Sequence, residues 1–261
     1  MYSSKEIELS KRYLGEITES IDQDLCLLGG WAVYDLVNIN FMDDVGREYI
    51  GSRDIDLGFH IDKNWTDEQL TTSIFSRIIE ILEKIGFQWQ AFRLFKDFDI
   101  ETLKELTFDE ANKKSQFEMT RMYIDPVIDF LHPRFKCVFG YNPIDEPILY
   151  DAYEKNLFIE SNISKKIKIC EPHYLLSMKL NCVERRHKED KKIKDIADIY
   201  ALMWYSGMDL DMLKIGTNII FGKDNSIKVL NNFDENNVKK AAEILGINDN
   251  DIIRVFNEFK K

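Results

Sequence analysis

Residues 53–59, Arg-Asp-Ile-Asp-Leu-Gly-Phe, alternate between polar or small side chains and apolar ones. Side chains along a strand point alternately to its two faces, so this period of two predicts a half-buried strand and excludes a helix. Ile55, Leu57 and Phe59 face a core, and Asp54, Asp56 and Gly58 share the other face. The two carboxylates are then only about 6.5–7 Å apart at the backbone. Carboxylates held that close repel, and one takes up a proton unless a cation intervenes. A divalent ion removes the conflict. Magnesium is the expected one, because it binds through one or two carboxylates together with substrate phosphates.

Two further features extend this strand into a site. Upstream, the apolar run Leu25-Cys26-Leu27-Leu28 ends at Gly29-Gly30. Trp31 to Asn38 follows with apolar residues at helical spacing, so the order is strand, Gly-Gly, helix. Glycines at a helix start let the backbone come close to phosphate, and the N–H groups there favour anionic oxygens. Downstream, Asp129 lies in the apolar run Val127-Ile128-Asp129-Phe130-Leu131. A buried unpaired aspartate is costly, so Asp129 either faces solvent or meets a cation or donor. If its strand neighbours the first, it completes a three-carboxylate cluster able to hold two metal ions.

The rest of the chain divides in character near residue 171. Before it, a helix is predicted over 5–20, a helix from an N-cap at Thr66 through Leu70, Ile74, Ile78, Leu82 and Ile85, and a strand over 87–95. Two strands are expected at 116–124 and 127–131, separated by Asp125-Pro126, and short strands at 158–161 and 166–170. After Glu171-Pro172 the pattern is helical, with helices over 173–186 and 190–205 and shorter ones at 210–215, 238–245 and 251–259. The expected organisation is therefore an α/β domain over 1–171, a small mixed sheet flanked by helices, and a helical C-terminal domain over 172–261.

Composition narrows the partners. The chain has 46 acidic and 35 basic residues, a net charge of −11, so its overall field repels nucleic acid although a local basic patch can still bind it. No apolar run approaches the length of a membrane span. The charged start, MYSSKEIELSKRYLGEI, does not read as an export signal, which makes the cytoplasm the expected location. Cys26, Cys137, Cys170 and Cys182 fit no zinc spacing and are expected as reduced thiols.

Gly29-Gly30-Trp31-Ala32-Val33, then Ser52-Arg53-Asp54-Ile55-Asp56-Leu57, then Asp129 in an apolar strand, resembles the DNA polymerase β-like nucleotidyltransferase superfamily. Lys179 after Leu175-Leu176, followed by Lys194-Asp195-x-x-Asp198-Ile199, is similar to the toxin-type members found in abortive-infection and type IV toxin–antitoxin systems. Antibiotic-modifying nucleotidyltransferases, which often carry Gly-Gly-Trp-Ala, are also similar. The resemblance spans about residues 24–205. It implies a nucleotidyltransferase fold and transfer of a nucleoside monophosphate from a nucleoside triphosphate to a hydroxyl of RNA, protein or a small molecule.

In the toxin-type reading a cognate antitoxin is a possible partner. The resemblance further implies that Asp54, Asp56 and Asp129 ligate one or two magnesium ions, with Asp129 also the general base. Gly29 and Gly30 cradle the triphosphate, Ser52 and Lys179 join the nucleotide site, and Lys194, Asp195 and Asp198 line it. Trp31 stands where relatives often have Ser, and Ser52 where antibiotic-modifying relatives have His.

The same charges have plainer readings. Lys194 and Asp198, like Lys191 and Asp195, are four apart and suit surface ion pairs on a helix. Lys179 also fits a solvated helical lysine, and the surplus of basic residues over 179–194 a solvated hairpin. A nucleotide-binding module without catalysis would keep the same motifs.

Overall fold

The computed structural model describes residues 3–261. Its first half is a mixed sheet with helices interleaved along the chain. In order come α1 (Ser4–Ser20), β1 (Leu25–Leu28), α2 (Gly29–Val45), β2 (Ile55–Phe59), α3 (Asp67–Thr71), α4 (Ile74–Lys84), β3 (Gln88–Gln90) and β4 (Arg93–Asp99). Then follow α5 (Phe108–Ala111), β5 (Met119–Ile128), α6 (Phe135–Phe139), β6 (Ile144–Asp145), α7 (Pro147–Glu154), β7 (Phe158–Glu160) and β8 (Ile167–Cys170). From Pro172 onward only helices occur: α8 (Pro172–Val183), α9 (Glu189–Tyr205), α10 (Leu210–Ile220), α11 (Lys223–Asn231), α12 (Glu235–Leu245) and α13 (Asp249–Lys260).

The strands form one open sheet in the order β3-β4-β5-β2-β1-β8-β7, with β6 beside β5. β1 runs antiparallel to β2 and parallel to β8, and β2 runs parallel to β5. The central strands are short and apolar because both faces are covered, as buried strands require. Leu25, Leu27, Ile55, Leu57, Ile124 and Ile128 all lie in the main core. That core continues into the helical half through Leu176, Ile196, Ile199 and Leu202, packed with Trp31, Val37 and Phe41 of α2.

Three expected elements differ. The strands at 116–124 and 127–131 are one strand, β5, that runs through Asp125-Pro126. β4 pairs with β5 only as far as Ile124, and β6 takes over at Val127. Asp129 N–H donates toward β2, to the Phe59 carbonyl. By alternation Pro126 therefore turns its nitrogen to the other side, where the neighbour changes and no ladder bond is lost. The single helix expected after Thr66 is two helices. Thr66 and Gln69 form a capping box on α3, and Ser73 caps α4 anew. The strand expected over 87–95 is a hairpin, with Ala91 and Phe92 linking Gln90 to its partner Arg93.

Among the described residues no helix is long and apolar enough to cross a membrane. All four cysteines are free, Cys26 and Cys170 buried and Cys137 exposed.

Candidate functional site

The site begins where β1 becomes α2. Leu28, the last residue of β1, is paired with Asp56 across the antiparallel ladder. Gly29 then turns into the helix with φ +62°, in the left-handed region that glycine enters without penalty. A Cβ at Gly29 would lie 1.8 Å from Asp56 Oδ2, so the glycine is also what leaves room for that carboxylate. A Cβ at Gly30 would lie 2.9 Å from Ser52 Cβ and 3.9 Å from Lys194 Nζ. Ser52 and Lys194 thus close on the first turn of α2.

A cavity of about 260 Å³ opens here, between the sheet and helices α8 and α9. Its sheet wall carries Asp54, Asp56 and Asp125. Asp54 lies in the bend just before β2 rather than in the strand itself. Asp125 is the register partner of Asp56 in the parallel pairing of β5 with β2. Arg93 at the start of β4 grips Asp125 with two nitrogens, one at 2.7 Å from Oδ2, and reaches Asp54 Oδ2 at 3.4 Å. Arg53 donates to Asp54 at 3.1 Å, and Lys191 Nζ is 3.7 Å from it.

Asp56 accepts no hydrogen bond from any described residue. Burial first, then the charges of Asp125 and Asp54, push its carboxyl up to about 7. Asp125 is raised by burial as well, with Arg93 opposing.

The opposite wall is cationic and comes from the helical half. Lys179 on α8 meets Asp195 at 2.8 Å and Asp198 at 2.7 Å. Lys194 is paired with Asp198, and Arg186 with Asp195 at 2.6 Å. Tyr49 donates its hydroxyl to Asp198 at 2.7 Å. Asp195 and Asp198 are buried, so these are not surface pairs. Burial works against the Lys179 charge, yet Asp195 and Asp198 outweigh it and raise its pKa. Lys194 goes the other way: burial dominates and lowers it. Three cations (Lys179, Lys194, Arg186) share two carboxylates, so this wall has a positive surplus and faces a sheet wall with a negative one.

Asp129 is not part of this site. It stands four residues beyond Asp125, about 13 Å further along the strand direction. Its Oδ1 accepts the Ile61 N–H at 2.8 Å and its Oδ2 sits 2.6 Å from His60 Nδ1. The side chain is fully buried there, next to a second cavity of about 370 Å³ lined by Phe59, His60, Trp65, Arg77 and Tyr153. The cost of burying Asp129 is met by a histidine and a backbone donor, and the expected convergence with Asp54 and Asp56 falls to Asp125 instead. Residues 125 and 129 have the same parity, so both point to the same face. The register with β2 decides which one meets Asp56.

The structure therefore brings together Gly29, Gly30, Ser52, Asp54, Asp56, Lys179, Lys194, Asp195 and Asp198, all lining one cavity. Sequence reasoning missed Asp125 and Arg93 as site residues, and reached Arg186 and Lys191 only as part of the basic stretch 179–194, which could grip triphosphate or an RNA acceptor. The signal for Asp125 was available: a strand read through Pro126 places it in phase with Asp129.

Among the described residues no group of three His, Cys, Asp or Glu side chains stands preassembled as a metal cage. The donor set nevertheless fits a divalent cation. Three acidic oxygen donors share one wall, and Asp56, whose carboxylate has no hydrogen-bond donor, is held toward its protonated form by burial first and then by the charges of the other two. Comparison with protein-family models, with curated proteins and with solved structures finds no match for this chain.

Proposed function

We propose that this chain is a metal-dependent nucleotidyltransferase with a nucleotidyltransferase-type fold. It moves a nucleoside monophosphate from a nucleoside triphosphate to an acceptor hydroxyl. The observation that carries this reading is the cavity's polarity: Asp54, Asp56 and Asp125 on one wall, Lys179, Lys191, Lys194 and Arg186 facing them, and the start of α2 between. Such a cleft suits a polyanion held together with a cation.

Asp54, Asp56 and Asp125 would hold magnesium, which when bound neutralises phosphate charge and polarises the phosphorus under attack. The backbone N–H groups at the start of α2 and the side chains of Ser52, Lys179 and Lys194 receive the phosphate oxygens. The acceptor oxygen forms a bond to the α-phosphorus. The bond from that phosphorus to the bridging oxygen breaks, and pyrophosphate leaves. The hydroxyl proton passes to a carboxylate of the sheet wall, a role that falls to Asp125 in place of Asp129. Catalysis is positioning and electrostatics.

The acceptor is an RNA end, a protein hydroxyl or a small molecule of the antibiotic type. With RNA or protein as acceptor, the chain would act in the cytoplasm as a toxin of a toxin–antitoxin or phage-defence pair. A second reading, a nucleotide-binding module without turnover, is favoured by one observation: Arg93 already neutralises Asp125 and part of Asp54.

The test is incubation with α-labelled ATP, CTP, GTP or UTP and magnesium, against total RNA, protein and a panel of aminoglycosides. Label transfer that disappears in Asp54→Ala/Asp56→Ala supports transfer. Transfer that persists in the double variant overturns it, and nucleotide binding without transfer to any acceptor selects the module.

A further inference from the structure

Arg93 does not line the cavity as Lys179, Arg186, Lys191 and Lys194 do, but holds two of its carboxylates from the side of the sheet. It stands at the tip of the β3–β4 hairpin, paired with Gln90. Its guanidinium lies over the Tyr123 ring, 3.9 Å from the centroid, and forks onto Asp125 while touching Asp54. One positive charge is thus spread over two carboxylates, with the undonated Asp56 beside them.

A neighbouring pair across β4 and β5 gives the contrast. Arg121 forks onto Asp97, with Nε at 2.6 Å, and its guanidinium lies 4.0 Å from the Phe95 centroid. That pair has the same chemistry, but its carboxylate, Asp97, does not line the cavity, whereas Asp125 and Asp54 do.

Resting on the metal reading above, we propose that Arg93 sets the cation affinity of this site: its guanidinium is a resident counter-cation that Asp54 and Asp125 trade for a divalent ion. A fork geometry fixed by stacking on Tyr123 lets the guanidinium be released without leaving the hairpin. Once the carboxylates have taken a divalent ion, its N–H donors are free for an anionic oxygen of the incoming nucleotide. Metal loading and phosphate capture are then linked through one side chain. The exchange also favours an ion with at least two charges, since a monovalent one gains nothing over the arginine already present.

The experiment is calorimetric titration of the full chain with manganese(II) alone, without nucleotide, for wild type, Arg93→Met, Arg93→Lys and Arg121→Met, each checked for folding by thermal melting in EDTA. Arg93→Met keeps an apolar stem over Tyr123 and removes the competing charge. It is expected to bind manganese about ten-fold more tightly, equivalent to about 1.4 kcal/mol. Its melting temperature in EDTA falls and recovers with manganese. Arg93→Lys, which keeps the charge without the fork, falls between. Arg121→Met leaves manganese affinity unchanged. Equal or weaker manganese binding by a folded Arg93→Met, beside a wild type that binds, overturns the exchange and leaves the metal reading standing. Absence of manganese binding in wild type and in both Arg93 variants overturns the metal reading and the exchange with it.

Discussion

Asparagine at position 125 and asparagine at position 129 separate the site from its scaffold. Asp129 is fully buried and holds two polar partners, the Ile61 N–H at 2.8 Å and His60 Nδ1 at 2.6 Å. Hydrogen bonds to a charged group contribute about 1.5–3 kcal/mol and neutral ones about 0.5–1.5, so removing the charge weakens each of the two by about 1 kcal/mol. Asp129→Asn should therefore destabilise the chain by about 2 kcal/mol. For a protein of this size that lowers the melting temperature by about 4–8 °C.

Asp125→Asn acts differently. It turns one arm of the Arg93 fork into a donor and weakens the other, about 2 kcal/mol on the same reckoning, but also removes the repulsion that Asp125 exerts on Asp56, so the net loss is about 1–2 kcal/mol. Urea and thermal unfolding measure the first effect, and manganese titration with label transfer measures the second. The expected pattern is an Asp129→Asn that still binds manganese and a folded Asp125→Asn that does not. The reverse pattern, manganese lost at 129 and kept at 125, would refute the assignment of the third carboxylate.

Two other perturbations probe the same wall. Asp56 is raised from an ordinary 3.8 to about 7, burial being the largest cause. Between those values the folded protein keeps a proton that the unfolded chain has released, so stability falls as pH rises through the window. In EDTA, the stability of Asp56→Asn relative to wild type should rise by about 1 kcal/mol between pH 3 and pH 4.5 and by on the order of 4 kcal/mol at most above pH 8. A difference in urea midpoints that does not change with pH defeats this account.

Gly29→Ala meets both a left-handed backbone and the Asp56 carboxylate, whereas Gly46→Ala meets a left-handed backbone (φ +79°) with nothing within 4 Å. Each should lose about 1 kcal/mol or more of stability from the backbone. Only Gly29→Ala should also lose manganese binding, and equal manganese affinity in the two variants would count against the cradle.

The sequence was legible wherever one short segment decides its own conformation. The alternation at 53–59, the Gly29-Gly30 turn and Pro172 at a helix start each act within a few residues, and the structure follows them except that β2 begins only at Ile55, leaving Asp54 in the bend before it, and is buried on both faces. What escaped depends on pairing between distant segments. Asp125 and Asp129 are equivalent by parity, and only the register of β5 against β2, with Leu57 opposite Pro126, tells them apart. Pro126 reads as a break because its missing N–H is normally disqualifying, and the change of neighbour from β4 to β6 that excuses it is invisible in one dimension. The same holds for Lys191. Its spacing suggests Asp195 four residues on, but the tertiary packing turns it to Asp54 and gives Asp195 to Lys179 and Arg186. Arg93 carries no motif at all, and its role follows from where a hairpin tip ends.

The carboxylate of Asp198 joins three parts of the chain: Lys179 of α8, Lys194 of α9, and Tyr49 from the loop after α2. Prying α8 away from α9 would strand that charge without Lys179, a penalty of several kcal/mol, whereas the two helices moving together would keep both lysines on Asp198 and lose only the Tyr49 hydroxyl. The ion pairs therefore bind α8 and α9 into one unit, so the cationic wall keeps its own shape whatever enters the cleft.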